Sequence, residues 1–382
     1  MAIANQQPLE RNREKMKADA NASRGVPQFP TGPRSENSGG CVSRRAALQR
    51  LAAMGAGTAL SIRSLLAGMP VVDSNPRAGR IDVHHHMLPP FYMDLRRAVP
   101  DVGKMPVWSP ASSMDDMAKN GVSTAMLSLA VSGVTFDAGE AGRSLARRSN
   151  DFGAKLVLDH PANFGLLAAL PLPDPQGSLV EMEYALDTLH ADGIALLSNY
   201  GDKWLGDALY TPVFEELDRR KAVVFVHPNA PNCCANLLPH VPASTIEFLF
   251  DTTRTIESLL TNGTFSRFPN VQFIFSHGGG AMPILANRMA RTSPKDLAAQ
   301  VPNGVLYELK RQYYDTASAS NPTSLSALLS IVPSSQIVFG SDFPFLSAGD
   351  TASDLAHSGL PGDTVEAIGR ANAVRLFQRL KI

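Results

Sequence analysis

Histidines stand where a short buried strand would end. The run RIDVHHHMLPP, residues 80–90, reads as an apolar strand that continues into His84, His85 and His86. Because side chains alternate along a strand, His84 and His86 point to one face and His85 to the other. Two imidazoles on one face at a strand end make half of a metal site. Ordinary polar packing is the alternative. If the pair does bind a metal, the remaining ligands must come from elsewhere in the chain.

Three later strand-like runs also end in a residue that can bind a metal. The run AVVFVHP ends at His227, VQFIFSHGGG contains His277, and QIVFGSDFP contains Asp342. Three imidazoles and a carboxylate suit one divalent ion, Zn²⁺ in the first place and Mn²⁺ as the alternative, with open positions for water or substrate. One further histidine remains for proton transfer. Such a set requires a fold that brings the ends of separate strands together.

The order of the apolar runs predicts that fold. After Arg80, strand-like runs alternate with helix-like stretches, and most are continuously apolar, as parallel strands covered on both faces are. The runs are 81–86, 123–130, 164–172, 193–199, 222–228, 271–278, 312–318 and 336–344. Eight such units over about 300 residues predict a (β/α)8 TIM barrel across residues 80–382, with its site at the carboxyl ends of the strands. A doubly wound sheet is the alternative, but no Gly-x-Gly-x-x-Gly loop follows a strand.

The region before the barrel has a different composition. Residues 1–42 are poor in large apolar side chains and rich in Asn, Gln, Pro, Gly and charge, which predicts a disordered N-terminal extension. Residues 43–75 place Arg44 and Arg45 before an Ala/Gly-rich run, and this segment resembles a twin-arginine export signal. We therefore expect export to the periplasm. A cytoplasmic protein with a basic amphipathic helix is the alternative.

Overall composition excludes several classes of partner. The chain has 382 residues, of which 44% are hydrophobic, enough for a sizeable core. A formal net charge of +0 gives no electrostatic case for nucleic acid. No uninterrupted apolar run approaches the roughly 20 residues that span a bilayer, so no membrane span is expected. The cysteines are Cys41, Cys233 and Cys234. Adjacent cysteines rarely bridge each other, and a disulfide framework is not implied.

The motifs IDVHHH, VFVHP, FSHGGG and FGSDFP, in this order, resemble the amidohydrolase superfamily in its aminocarboxymuconate-semialdehyde decarboxylase-like branch. Runs such as ALPLPDP, YGDKWLGD, ELDRRKAVVFVHP and DTTRTIESLL are similar to the 6-methylsalicylate decarboxylases of that branch. The resemblance implies that His84, His86, His227 and Asp342 bind the metal and that His277 is the acid/base group. The proton could instead come from the Asp342 carboxylate.

The resemblance also bears on the number of metals and subunits. Binuclear amidohydrolases carry a lysine at the end of strand four, whereas this chain has Leu196–Asn199 there and Lys203 only in the loop. One metal ion is therefore expected. Arg288, eleven residues after His277, stands where related decarboxylases place an arginine that reaches the substrate carboxylate of the neighbouring subunit. A homodimer or higher homo-oligomer follows, unless Arg288 is only a surface residue.

The function implied is a metal-dependent, non-oxidative decarboxylase of a small aromatic or unsaturated carboxylic acid, such as a salicylate. Direct loss of CO₂ from an aromatic ring would leave an electron pair in the ring plane. Protonation of the ring carbon first, next to an ortho hydroxyl, gives a dienone that loses CO₂ as a β-keto acid does. The same residues would also suit a mononuclear hydrolase of a lactone or amide. A non-catalytic exported binding protein is the third possibility, and the spacing does not choose among them.

Overall fold

Eight parallel strands form the centre of the protein, in the spatial order β1-β2-β3-β4-β7-β8-β9-β10. The computed structural model describes residues 79–97, 105–130, 139–201, 203–234, 237–292 and 297–381. The strands are β1 (Arg80–Met87), β2 (Val122–Leu129), β3 (Phe164–Ala169), β4 (Gly193–Leu197), β7 (Val223–His227), β8 (Gln272–Phe275), β9 (Tyr313–Asp315) and β10 (Ile337–Val338). Two short strands, β5 (Asn199–Tyr200) and β6 (Lys203–Trp204), form a separate antiparallel hairpin. The predicted (β/α)8 barrel is confirmed.

Helices alternate with the strands and cover the outside of the barrel. They are α1 (Pro90–Arg97), α2 (Pro110–Lys119), α3 (Gly139–Asp159), α4 (Pro175–Glu183), α5 (Thr211–Arg220), α6 (Glu247–Thr261), α7 (Thr264–Arg267), α8 (Met282–Thr292), α9 (Leu297–Gln300), α10 (Val305–Lys310), α11 (Pro322–Leu329), α12 (Ala348–Ala356), α13 (Gly362–Glu366) and α14 (Asn372–Leu376). Helix α5 shows why these segments pack: Val213, Phe214 and Leu217 make one buried stripe. Within the described ranges, no helix combines the length and apolarity that a membrane crossing needs.

The barrel is closed by the segment that follows β10. Three backbone hydrogen bonds join it to β1: Val83 N donates to Phe339 O (2.9 Å), Asp342 N donates to His84 O (2.9 Å) and His86 N donates to Phe343 O (2.7 Å). The prediction of one continuous strand over 336–344 is therefore wrong in extent, because regular strand geometry ends at Val338. Beyond it, Asp342 has a φ of 67°. This seam between β1 and the segment after β10 places Asp342, a predicted site residue, at the mouth of the barrel.

Two more predicted strands end early for identifiable reasons. The third was expected to reach residue 172 but stops at Ala169, whose backbone N–H and C=O both bond to the side chain of Asn150 on α3. The fourth stops at Leu197 because Ser198 and Asn199 turn their side chains toward the buried carboxylate of Asp251 on α6. At Ala169 the side chain of Asn150 supplies the hydrogen bonds that a neighbouring strand would otherwise make, and at Leu197 the backbone N–H donates to the hydroxyl of Tyr200.

The structure corrects the expectation for Cys233 and Cys234, which are joined by a disulfide in the turn after β7. Cys234 N donates to Pro231 O across this turn. The predicted disordered extension, residues 1–42, and the predicted signal segment, residues 43–75, lie outside the described residues and stay predictions.

Candidate metal centre

All five histidine and aspartate residues predicted from the strand ends meet at the carboxyl end of the barrel. One ligand atom from each of His84, His227, His277 and Asp342 lies within 4.8 Å of the others. His86 joins this group, because its Nε2 is 3.0 Å from His84 Nε2 and 3.1 Å from Asp342 Oδ1. The two residues of β1 reach one point because they are two apart on a strand, as their spacing predicts.

Three of these atoms have the separation of ligands around one ion. Asp342 Oδ1 lies 3.1 Å from His84 Nε2 and 3.1 Å from His86 Nε2, and the two nitrogens are 3.0 Å apart. An ion with ligands about 2.1 Å away, at angles of 90–109°, separates neighbouring ligand atoms by about 3.0–3.4 Å. The donor set of imidazole nitrogens and one carboxylate therefore fits one divalent ion.

The charges of the group are set by burial and by its carboxylates. Burial alone would lower the pKa of His84, but Asp315 and Asp342 raise it to about 10. Burial lowers the pKa of His227 well below its ordinary value, and His86 and His84 lower it further. Burial would raise the pKa of Asp342, yet His84 and the other imidazoles hold it well below its usual range. The site thus offers neutral His227 and an ionised Asp342, and a cation held there would take the place of one proton on His84.

Asp315, at the end of β9, is a site residue that the sequence reasoning missed. Its Oδ2 is 2.7 Å from His84 Nδ1, and its Oδ1 accepts hydrogen bonds from the backbone N–H of His277 (2.8 Å) and of Ala317 (3.0 Å). A carboxylate only accepts, so Nδ1 of His84 carries a proton, and Nε2 would present its lone pair to a cation that displaces the second proton of the ring. The sequence signal that could have identified Asp315 is an acidic residue at the end of a strand-like run, which is the signal that identified Asp342.

An Asp315→Asn variant is expected to bind metal about 10- to 100-fold more weakly, because the amide no longer fixes the tautomer and orientation of His84. Competition against a chelating indicator dye measures this affinity. Asp192→Asn is the matched control, since Asp192 bonds Leu166 N and Arg379 at the opposite, amino-terminal end of the strands. Equal metal affinity in wild type and Asp315→Asn would remove Asp315 from the support of the site.

The histidines divide into two kinds according to whether Nδ1 has a hydrogen-bond partner. His86 Nδ1 is 3.1 Å from Ser128 Oγ, and His227 Nδ1 donates to Pro228 O at 2.8 Å. Together with His84, these rings have a fixed Nδ1 and an Nε2 turned to the centre, the pattern of metal-ligating histidines. His277 differs, because its buried Nδ1 has no hydrogen-bond partner among the described residues while its Nε2 lies 3.5 Å from Asp342 Oδ2.

Arg288 does not join the convergent group. It is exposed on α8 and borders a surface depression of about 280 Å³ between α6 and α8, together with Arg254. Arg254 Nη1 is 3.8 Å from Asp251 Oδ1, so it pairs along its own helix. The outward position of Arg288 is the one that a contact with a second subunit requires, and that role stays a prediction.

The fold and this centre define an amidohydrolase. A family model described as Amidohydrolase matches residues 81–379. The chain belongs to this family, which confirms the resemblance read from its motifs.

Individual relatives are decarboxylases by name. The chain is 37% identical over 325 residues to decarboxylase yanB of Aspergillus niger, covering 79% of this chain and 88% of that one. It is 34% identical over 326 residues to the 6-methylsalicylic acid decarboxylase of Penicillium expansum, covering 79% and 97%. Among solved structures, 5-carboxyvanillate decarboxylase of Novosphingobium aromaticivorans, complexed with manganese and a nitrobenzoic acid, has the same fold with a TM-score of 0.72 and 17% identity, over 80% of this chain and 97% of that one.

Proposed function

We propose that this protein is a metal-dependent carboxy-lyase that removes CO₂ from a small aromatic acid with a hydroxyl group ortho to the carboxylate. The observation that carries the proposal is the division among the histidines: three have a hydrogen-bond partner at Nδ1 and suit a metal, whereas the buried Nδ1 of His277 has none within the described ranges. A site with ligands and a separate acid/base group fits a proton-dependent reaction. The names of the relatives favour decarboxylation over hydrolysis.

The chemistry requires a proton at the ring carbon that bears the carboxylate. When bound, the ion would hold the phenolate and carboxylate oxygens and stabilise their negative charge. His277 then donates its proton to that carbon; the C–C bond to the carboxylate breaks, its electron pair restores the aromatic ring, and CO₂ leaves. Asp342 is the less suitable donor, because the neighbouring imidazoles hold its pKa well below the usual range and keep it ionised. Its Oδ2, 3.5 Å from His277 Nε2, orients the ring of His277.

The test is to incubate the metal-loaded protein in D₂O with salicylate, 6-methylsalicylate, 2,6-dihydroxybenzoate and an aromatic lactone. The proposal expects CO₂ and a phenol with one deuterium at the carbon that carried the carboxylate. Ring opening of the lactone without CO₂ from any acid would establish a hydrolase instead. Binding of the acids without turnover, in protein with a full complement of metal, would leave only a binding protein.

For the metal we propose Zn²⁺ first, since three imidazoles and one carboxylate are ligands that it prefers. Mn²⁺ is the alternative, supported by the manganese named for the carboxyvanillate enzyme. Elemental analysis of protein purified without added metal should give about one ion per chain. Two tightly held ions per chain would contradict the mononuclear site.

We also propose that Arg288 completes the substrate site of a neighbouring subunit. Its planar guanidinium suits a carboxylate, and its place on the outer face of α8 turns it away from its own centre. Mixing inactive His277→Ala chains with inactive Arg288→Ala chains should then restore up to about one intact site in each mixed dimer. If subunits exchange and activity stays absent, Arg288 serves its own chain. If Arg288→Ala alone is fully active, Arg288 has no substrate role.

Export is proposed on Arg44 and Arg45 alone. A fusion of residues 1–79 to a reporter that is active only outside the cytoplasm should be active, and the double change Arg44→Lys, Arg45→Lys should silence it. A silent wild-type fusion would mean that the protein stays in the cytoplasm.

A further inference from the structure

Strand β1 has an irregular pairing beside the metal centre. Asp82 is in register with Ala125 of β2. His85 is in register with Leu127, so β1 advances three residues while β2 advances two. This is a β-bulge, which redirects side chains and locally disrupts the ladder of backbone hydrogen bonds. Within it, the N–H of His84 donates to Oδ1 of Asp82 at 3.1 Å. The Asp82 carboxylate therefore supports the backbone of a predicted ligand.

The same carboxylate also holds the segment that carries Asp342. Asp82 Oδ1 accepts from Ser341 N at 3.0 Å, and Asp82 Oδ2 accepts from Ser341 Oγ at 2.6 Å. Ser341 Oγ in turn accepts from Phe343 N at 3.1 Å. These bonds fix the residues before and after Asp342, whose φ of 67° is uncommon for a residue with a side chain. Ser341 and Asp82 therefore support the turn that aims the Asp342 carboxylate.

His85 supports this turn from the face of β1 that points away from the centre. Its Nδ1 is 3.0 Å from Asp82 Oδ2, and since a carboxylate only accepts, Nδ1 carries a proton. Its Nε2 is 2.9 Å from Ser113 Oγ on α2, and Trp108 Nε1 donates to the same hydroxyl at 2.9 Å. The His85 ring also stacks on Phe343, with the ring centroids 4.7 Å apart. His85 thus anchors both Asp82 and the residue that follows Asp342.

This hydrogen-bond network lies inside the protein. The side chains of Asp82, His85, Ser113 and Ser341 are buried. A buried carboxylate is costly unless donors surround it, and a well-bonded buried network holds one arrangement of the segments that form it. The donors to Asp82 come from β1 and from the segment after β10, which are the two sides of the seam. Asp82 therefore sets the position of one ligand-bearing segment relative to the other.

We propose that Asp82 and Ser341 are positioning residues for the metal centre, which hold the backbone at His84 and Asp342 so that their ligand atoms converge. Those atoms, His84 Nε2 and Asp342 Oδ1, lie 3.1 Å apart, the spacing of two ligands around one ion. Loss of an outer partner that orients ligands weakens metal binding about 10- to 100-fold. The inference rests on the proposed function, because it concerns the centre that this function would use.

The experiment measures metal binding by Ser341→Ala and Asp82→Asn. The alanine lacks the hydroxyl that joins Asp82 to Phe343 N, and the asparagine places an amide nitrogen where donors now point. We expect the Kd for Zn²⁺, from competition with a chelating dye, to rise about 10-fold in Ser341→Ala and up to about 100-fold in Asp82→Asn. The visible spectrum of the Co²⁺-loaded variants should also change, because Co²⁺ absorption depends on the arrangement of its ligands.

Ser320→Ala is the matched control. Ser320 is also buried, and its hydroxyl donates at 3.2 Å to Asp354 on α12, a carboxylate that is not among the predicted ligands. This variant tests for general destabilisation, since it should lower the Tm of the metal-free protein as Ser341→Ala does. It should keep the wild-type Kd and Co²⁺ spectrum. Equal changes of both in Ser320→Ala and Ser341→Ala would reduce Ser341 to a support of the fold.

Two further results separate this inference from the proposed function. A wild-type Kd and Co²⁺ spectrum in Ser341→Ala overturn the positioning role, even if the native protein releases CO₂ from a hydroxybenzoate. If the native protein binds metal but releases no CO₂, and Ser341→Ala still weakens binding and alters the spectrum, the positioning role stands and the proposed function falls. Should Asp82→Asn not fold, Ser341→Ala decides alone.

Discussion

An Asp342→Asn variant is expected to bind metal far more weakly and to lose about 10⁴-fold in kcat/KM for the decarboxylation, as much as the loss of the acid/base group that it orients would cost. In the native protein, Asp342 Oδ1 lies 3.1 Å from both His84 Nε2 and His86 Nε2, and Asp342 Oδ2 faces His277. An amide removes the negative charge and presents N–H hydrogens where lone pairs are needed. Steady-state kinetics and metal analysis of the same preparation measure both losses.

The control for this variant is Asp116→Asn. Asp116 accepts hydrogen bonds from Ser347 Oγ and Ala348 N, so it anchors the chain just after the Asp342 segment without touching the centre. We expect less than about a 10-fold change there, as for a surface polar contact. A similar loss in both variants would mean that Asp342 matters only through the position of its loop. Full activity of Asp342→Asn would remove it from the site.

The second large effect is expected for His277→Gln, which should lower kcat about 10²- to 10⁴-fold while one metal ion per chain remains bound. The reason is that, in the part of the chain that the structure describes, His277 Nδ1 has no hydrogen-bond partner, whereas the other three rings each have one at Nδ1. His227→Gln is the companion variant, and it should lose the metal as well as the activity. Metal content by mass spectrometry under native conditions distinguishes the two.

A second possible ligand set contains His277 in place of His86. One ligand atom of His277 lies within 4.8 Å of those of His84, His227 and Asp342, so a ligand set that includes it is geometrically possible. If His277→Gln releases the metal and His86→Gln does not, the two residues exchange roles. The proton donor would then have to be sought elsewhere.

Much of the arrangement of these residues could be predicted from the sequence, because the candidate ligands follow local rules. Alternation along β1 places His84 and His86 on one face, and a barrel brings all strand ends to one mouth. Asp315 could not be found in this way. A carboxylate at a strand end is also an ordinary polar terminus, and only the register between β8 and β9 shows that it reaches His277 N as well as His84.

The adjacency of Ala169 and Ala195 was equally hidden, because it depends on the pairing of β3 with β4. The extent of the last strand was wrong for a related reason. Regular pairing already ends at Val338, and the segment beyond it includes a positive φ at Asp342, a dihedral on which the residue pattern carries no information.

The seam between β1 and the segment after β10 has a consequence for how the molecule unfolds. Two of the bonds that close the barrel, Asp342 N to His84 O and His86 N to Phe343 O, involve three residues that would also hold the ion, His84, His86 and Asp342. A bound cation would thus also join the first and last strands of the barrel, and its binding free energy would add to the stability of the native state. Chelation should make the amide protons of His86 and Asp342 exchange with solvent faster than those of β7. In the cell, when the metal is scarce, the first and last strands of the barrel would then be exposed to proteases before the strands between them.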